Sequence, residues 1–350
     1  MTKRTRTIAE GVTARTVRDR AVSFPRRRLS FTAIERLSIF AFLVLLVVVF
    51  SLLAPGAFFT PFNLKSIAVA SAPTAVMAVG MTYVMITGGI DLSVGSVLVL
   101  SGVCGAETMQ AVGGGADAGW VAIGIGLAVG MATGALCGLI NGLLVSKAHI
   151  PALIVTLGSL GAALGVAQLL TGGIDVRDIP TRLNLDIGVG ALFGIPWVVV
   201  IAVSVALIGG LVLACTRFGR YTYAIGSNPE GARRAGLNVD GHLVKVYVIC
   251  GFLAGLAGVM SVAQYDTTSI GGHTLDNLAV ITAVVLGGTS LFGGIGTVFG
   301  SIVGTLVSTT LQSGLVIVGV ESYWTQITIS IVLVIAVWAD QARRRNVESG

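Results

Sequence analysis

Residues 196–236 read PWVVVIAVSVALIGGLVLACTRFGRYTYAIGSNPEGARRAG. The first nineteen, 196–214, carry no charge, and about twenty apolar residues are what an α-helix needs to cross a hydrocarbon core of roughly 30 Å. A charged island follows, with Arg217, Arg220, Glu230, Arg233 and Arg234, before a second apolar run opens at 246. Inside the island, Asn228 to Gly236 reads as a short helix capped at both ends. Asn228 offers an acceptor to the free N–H groups of the first turn. Pro229 suits the first helical position, where its missing N–H costs nothing, and Glu230 suits the positive end of the helix dipole. Gly236 can take the left-handed conformation that stops a helix. A rigid, exposed helix on a loop between two membrane spans has something to push against.

Composition agrees with the membrane reading. Of 350 residues, 54% are hydrophobic and only 11% charged, against roughly 25% charged in a soluble domain, and the mean hydropathy is +0.92. The net charge of +6 invites a nucleic-acid reading, which the distribution of the charge removes. The 48 glycines fit closely packed membrane helices and helices that break around a pathway. Cys104, Cys137, Cys215 and Cys250 form no C-x-x-C pair and read as small hydrophobes. His149, His242 and His273 are far apart, so no metal site is expected.

Ten apolar spans are expected, at 37–53, 67–87, 92–109, 120–145, 150–170, 196–214, 246–263, 279–288, 297–318 and 323–338. The eighth is short and flanked by glycines, as a half-crossing helix would be. The organisation is a basic tail over 1–36, a polytopic domain over 37–338 with a charged loop at 215–245, and a tail over 339–350. With both termini in the cytoplasm, nineteen of the 22 Lys and Arg residues fall inside, and only Lys65, Arg177 and Arg182 fall outside. That asymmetry sets the orientation and accounts for the positive charge without nucleic acid. The tail before the first span is expected to be disordered, with its basic face toward anionic lipid.

A short echo appears as G-G-x-x-L-x-x-G. Gly88 to Gly95 pairs with Gly287 to Gly294, setting Gly88 and Gly89 against Gly287 and Gly288 as candidate helix breaks. Transporters often carry such repeats, and a glycine-rich chain also produces them by chance. Asp91 has two readings: a functional carboxylate at membrane depth, or a cap on the third helix at the inner water boundary, shared with Ser93. Asp91, Ser93, Ser96, Asn141, Thr156 and Gln326 are candidates for a hydrophilic path. Interhelical hydrogen bonding is the plainer account of each alone, at about 0.6 kcal/mol. None of the four lysines, Lys3, Lys65, Lys147 and Lys245, follows a glycine. The chain therefore lacks the G-x-x-x-x-G-K-[ST] loop and is not expected to hydrolyse nucleotide itself. No nucleophile–base set is apparent, so no catalytic residue and no enzyme activity are expected. Few ionisable groups lie in the spans, which argues against proton or sodium coupling.

Four stretches together resemble the permease subunits of bacterial ABC sugar importers of the ribose/xylose/arabinose type. They are MTYVMITGGIDLSVG at 81–95, GLINGLLVSKAHIPALIVTLGSL at 138–160, the loop at 217–236, and AVVLGGTSLFGG at 283–294. The resemblance implies an all-α integral membrane fold of about ten helices like the vitamin-B12-type importers, in the bacterial inner membrane. It implies a homodimer or a heterodimer with a similar chain, a cytoplasmic ATPase that uses ATP and Mg, and a periplasmic or lipid-anchored sugar-binding protein. No cofactor would be bound by this chain. Carried onto this sequence, the ATPase-coupling segment is Gly226, Asn228, Pro229, Glu230, Ala232, Arg233 and Gly236, with Asn228, Glu230 and Arg233 as contacts. Ribose-type members commonly carry Glu-Leu-Asp before the AVVLGG block; here Asn277-Leu278-Ala279 stands there, near the expected outer mouth. A branched-chain amino acid permease and a stand-alone channel or facilitator are the alternative readings.

Overall fold

The computed structural model describes residues 28–273, 275–321, 323, 324, 327, 328, 330, 331, 334 and 335, with the backbone alone for 28–38. The tails at 1–27 and 339–350, Gln326 and much of the span expected at 323–338 lie outside the described residues. The helices are α1 Arg28–Leu53, α2 Pro61–Ile86, α3 Val94–Gly113, α4 Trp120–Ser146, α5 Ala152–Thr171 and α6 Trp197–Cys215. They continue as α7 Arg217–Ser227, α8 Pro229–Arg234, α9 Val239–Tyr265, α10 Asp276–Leu286 and α11 Val298–Ile317. A two-stranded hairpin, β1 Ala191–Leu192 with β2 Ile195–Pro196, precedes α6. Among the described residues, seven helices are long and apolar enough to cross a membrane, and Ile39–Leu53 and Asp276–Leu286 are shorter apolar helices.

Polarity is arranged as a bilayer demands. α5 and α6 present Leu153, Ile154, Leu157, Val203, Leu207, Ile208 and Leu211 outward, where lipid tails replace water as solvent. α2 and α9 are buried along most of their length. The helices pack around α9, which lies against α2, α3 and α4.

Glycine sets the closest contact. α4 carries Gly126, Gly130, Gly134, Gly138 and Gly142, one every four residues and hence along one face. A Cβ on Gly134 would stand 2.2 Å from the Gly251 carbonyl oxygen of α9, and one on Gly138 would stand 2.2 Å from that of Tyr247. The two backbones touch, so no larger residue fits. This is the small-residue packing that membrane helices use in place of a hydrophobic drive.

α9 begins at Val239, seven residues before the apolar run at 246. Asn238 caps it by accepting from Gly241 N at 2.9 Å. The helix starts in its polar portion and enters the apolar region later, because hydropathy marks the bilayer rather than the helix.

Candidate coupling junction and polar clusters

The island at 217–236 folds as two short helices. Thr216 caps α7 through Gly219 N at 3.3 Å, and Asn228 caps α8 through Gly231 N at 2.8 Å. Pro229 stands at the first position and Glu230 in the first turn. Gly236 stops α8 at φ +82°, with Gly236 N donating to Arg233 O at 2.9 Å and Leu237 N to Ala232 O at 3.1 Å, the paired bonds of a Schellman stop. Ile225, Ala232 and Val239 form a small buried cluster with Leu237 and Leu243, fixing α8 to α7 and α9. Asn228, Pro229, Glu230, Arg233, Arg234 and Gly236 are exposed, whereas Ala232 is buried and Gly226 half-buried. Ala232 and Gly226 therefore hold the segment rather than offer surface to a partner. Arg233 Nη2 pairs with Asp240 at 2.5 Å, so its charge is engaged within the chain.

The two expected breaks share one conformation. Gly88 has φ +82°, Gly88 N donates to Met85 O at 2.9 Å, and Gly89 N donates to Val84 O at 3.0 Å. Two hundred residues on, Gly288 has φ +84°, Gly288 N donates to Val285 O at 2.9 Å, and Thr289 N donates to Val284 O at 3.1 Å. The match sets Gly88 against Gly288, one residue away from the pairing expected from the letters. Only the residue at the left-handed stop must be glycine, so that position fixes the register.

The first break and the segment that follows the second meet at the end of α7. Gly294 N donates to Ile86 O at 2.8 Å. A Cβ on Gly226 would lie 1.7 Å from Ile86 O and 2.7 Å from Gly294 N, and one on Gly293 would lie 2.9 Å from Gly226 O and 3.0 Å from Gly88 N. Tyr223 Oη also donates to Gly296 O at 2.7 Å. The segment after α2 and the segment after α10 thus rest on one point of α7. Sequence reading had each glycine but not the convergence.

A polar cluster lies just past the first break. Asp91 is 2% exposed and accepts from Ser93 N at 2.9 Å and Ser93 Oγ at 2.5 Å. Asn141 Nδ2 donates to Ser93 Oγ at 2.9 Å, and Ser159 Oγ donates to Asn141 Oδ1. Thr156 Oγ1 lies 3.3 Å from Ile90 O. Asp91, Ser93, Asn141 and Thr156 come together from three elements, with Ser159 as a member the sequence did not single out. Ser96 turns back to Ser93 O at 2.9 Å. Asp91 binds the N–H at the start of α3, as a cap would, and does so from a buried position. Ser93 is the N-cap residue, yet its side chain makes no cap bond.

Asn277 also departs from expectation. It is not open to solvent: it is 7% exposed and donates Nδ2 to Leu92 O at 3.2 Å, at the entry to α3. The 171–190 segment is held at the loop that follows α9 and at the end of α3. Val176 N donates to Thr268 Oγ1 at 2.8 Å, Ile270 N to Asp175 Oδ1 at 2.8 Å and Asn184 Nδ2 to Ala263 O at 2.9 Å. Asp178 Oδ1 accepts from Ala116 N at 3.1 Å. Two of the three aspartates of that segment therefore tie it down over the ends of α3 and α9.

Comparison with known proteins agrees with this architecture. The chain is 40% identical over 314 residues to the ribose import permease protein of Escherichia coli K12, covering 89% of this chain and 94% of that protein. It is 35% identical over 320 residues to the ribose import permease protein of Bacillus subtilis 168, covering 91% and 97%. It is 34% identical over 311 residues to the fructose import permease protein of Rhizobium meliloti, covering 87% and 84%. No solved structure matches the chain. Residues 63–337 match the family described as branched-chain amino acid transport system / permease component, and with that match, the span-forming helices and the likeness to import permeases, the chain belongs to this family of transport permeases.

Proposed function

We propose that the chain is the translocating subunit of an ATP-driven importer for a neutral monosaccharide, working in the bacterial inner membrane with both termini in the cytoplasm. The observation that carries the reading is the exposed, doubly capped α8, held by a buried cluster to α7, whose end bears on the first helix break and on the segment that follows the second. A partner ATPase that binds ATP and Mg would dock on Asn228, Pro229 and Glu230. Its closure moves α7 and α8 as one body. Gly226 then shifts Ile86 and Gly293–Gly294 together, so both breaks respond to one stroke. A second permease copy would complete the path, and a periplasmic or lipid-anchored binding protein would deliver substrate to the face opposite α8. Together with the remaining C-terminal span, the helices would make up the ten-helix plan of the vitamin-B12-type importers.

The sugar assignment draws on the relatives, which are named for ribose, fructose and allose. The family's description names a second substrate class, branched-chain amino acids, which the sugar-permease relatives do not favour. Uptake of labelled ribose, fructose, allose and leucine by membrane vesicles, with and without ATP inside the cytoplasmic compartment, separates them. ATP-dependent accumulation of a sugar is expected. Leucine accumulation moves the assignment to amino acids, and ATP-independent equilibration moves it to a facilitator.

A further inference from the structure

The polar start of α10 has no role in the coupling path. α10 has eleven residues and so rises about 16 Å, near half of a roughly 30 Å hydrocarbon core. Its C-terminal end packs on the start of α11, where a Cβ on Gly287 would lie 2.5 Å from Gly300 O, and the chain reaches the junction at Gly293–Gly294 within a few residues. On the topology proposed above, its N-terminal end lies well inside the membrane profile. There a Cβ on Gly95 would stand 2.9 Å from His273 O and 3.3 Å from Asn277 N. Polar groups at that depth are tolerated where they are paired or where they line a water-filled path.

The groups at this place are only partly paired. His273 Nδ1 and Asp276 Oδ2 are 2.7 Å apart, and His273 Nε2 and Ser261 Oγ are 3.1 Å apart. Asn277 uses Nδ2 on Leu92 O, but its Oδ1 is buried with no partner. Gln264 Oε1, one turn beyond Ser261 on α9, is also buried without a partner. Asp276 pairs with no Lys or Arg among the described residues, and its side chain is 30% exposed. Tyr265, 56% exposed, follows Gln264 as the last residue of α9. A buried acceptor without a donor costs about 1–3 kcal/mol, so acceptors left open here mark a place for donors that come and go.

Unmet acceptors, planar polar side chains and an exposed aromatic ring suit a ligand rich in hydroxyl donors and free of charge. We infer that Asp276, Asn277 and His273, with Gln264 and the Tyr265 ring, form a hydroxyl-binding station for a monosaccharide in transit, an inference that rests on the sugar-import reading above. Asn277 Oδ1 and the open lone pairs of Asp276 accept from sugar hydroxyls, and Asn277 Nδ2 keeps the station fixed to the entry of α3.

The test uses cells that carry the complete import system, with the permease gene replaced by wild type, Asn277→Ala or Asp276→Asn. Uptake is measured for labelled ribose, fructose and allose, and then for analogues of the imported sugar that each lack one hydroxyl. Asn277→Ala is expected to cut uptake of the parent sugar at least tenfold, yet to cut one deoxy analogue less than twofold, at equal permease level in the membrane. Asp276→Asn, which keeps the side-chain shape, is expected to single out a different hydroxyl. A packing defect slows every sugar alike. Equal slowing of all analogues, or no slowing, overturns the station and leaves the sugar reading standing. Failure of the wild type to import any of the three sugars overturns the sugar reading and the station with it.

Discussion

Gly226→Ala tests the junction directly. The added methyl would lie 1.7 Å from Ile86 O, 2.7 Å from Gly294 N and 2.9 Å from Ile86 C. Ordinary contact needs about 3.4 Å or more, so α7 must lift from the breaks by roughly 1.5 Å, and the obstacle is backbone that no rotamer change removes. Overpacking of this kind costs about 1–3 kcal/mol. Because the cost falls on the conformer in which α7 is seated, that conformer loses about 5- to 150-fold in population. ATP-driven uptake should fall by a similar factor, while the permease remains in the membrane and retains its ATPase partner, since α8 and its caps are untouched. Gly165→Ala in α5 is the control, because nothing lies within 4 Å of its added methyl. Uptake and ATP hydrolysis would be read together in inside-out and right-side-out vesicles, with permease quantified by immunoblot. Wild-type uptake by Gly226→Ala at wild-type level would refute the claim that the end of α7 drives the breaks.

Other perturbations reach other parts of the account. Gly134→Ala should lower thermal stability in detergent by about 1–3 kcal/mol, because its methyl would stand 2.2 Å from Gly251 O; an unchanged melting temperature would deny the α4–α9 backbone contact. Asp91→Ala strips the buried Ser93 N–H and hydroxyl of their acceptor and should cost about 1–3 kcal/mol, whereas Asp91→Asn, which keeps Oδ1, should melt closer to wild type. Arg233→Ala and Asp240→Ala should couple by only about 0.2–1 kcal/mol in a double-mutant cycle, since the side chains are 44% and 23% exposed. Glu230→Arg places a cation at the positive end of α8 and on its exposed face; uptake should be lost with the fold retained, and normal uptake would remove Glu230 from the docking surface.

Local chemistry made part of this legible in advance. Asn228, Pro229 and Gly236 announce α8 because each satisfies a requirement of a helix end that few other residues meet. The apolar runs announce spans because the bilayer tolerates little else. What stayed hidden depends on which distant segments meet. Gly226, Gly88, Gly293 and Gly294 look alike in a chain with 48 glycines, and only the fold shows Gly226 and Gly294 closing on the Ile86 carbonyl while Gly293 packs between Gly226 and Gly88. The four-residue ladder on α4 was present in the letters, but its partner on α9 lies over a hundred residues away. Ser159 gave no signal because one serine in an apolar helix has no period. Asn277 was placed at an outer mouth because apolarity counts membrane crossings. A chain that turns back inside the profile leaves the same trace as one that ends outside.

The central claim is that this chain is driven by a separate ATPase seated on α8. The most direct measurement is mild-detergent purification of the tagged chain from its native host, with mass spectrometry of what comes with it. The account predicts a protein bearing a phosphate-binding loop, near one copy per permease, that is lost in Glu230→Arg. A chain that comes out intact and alone, under conditions that preserve another importer's complex, would contradict it.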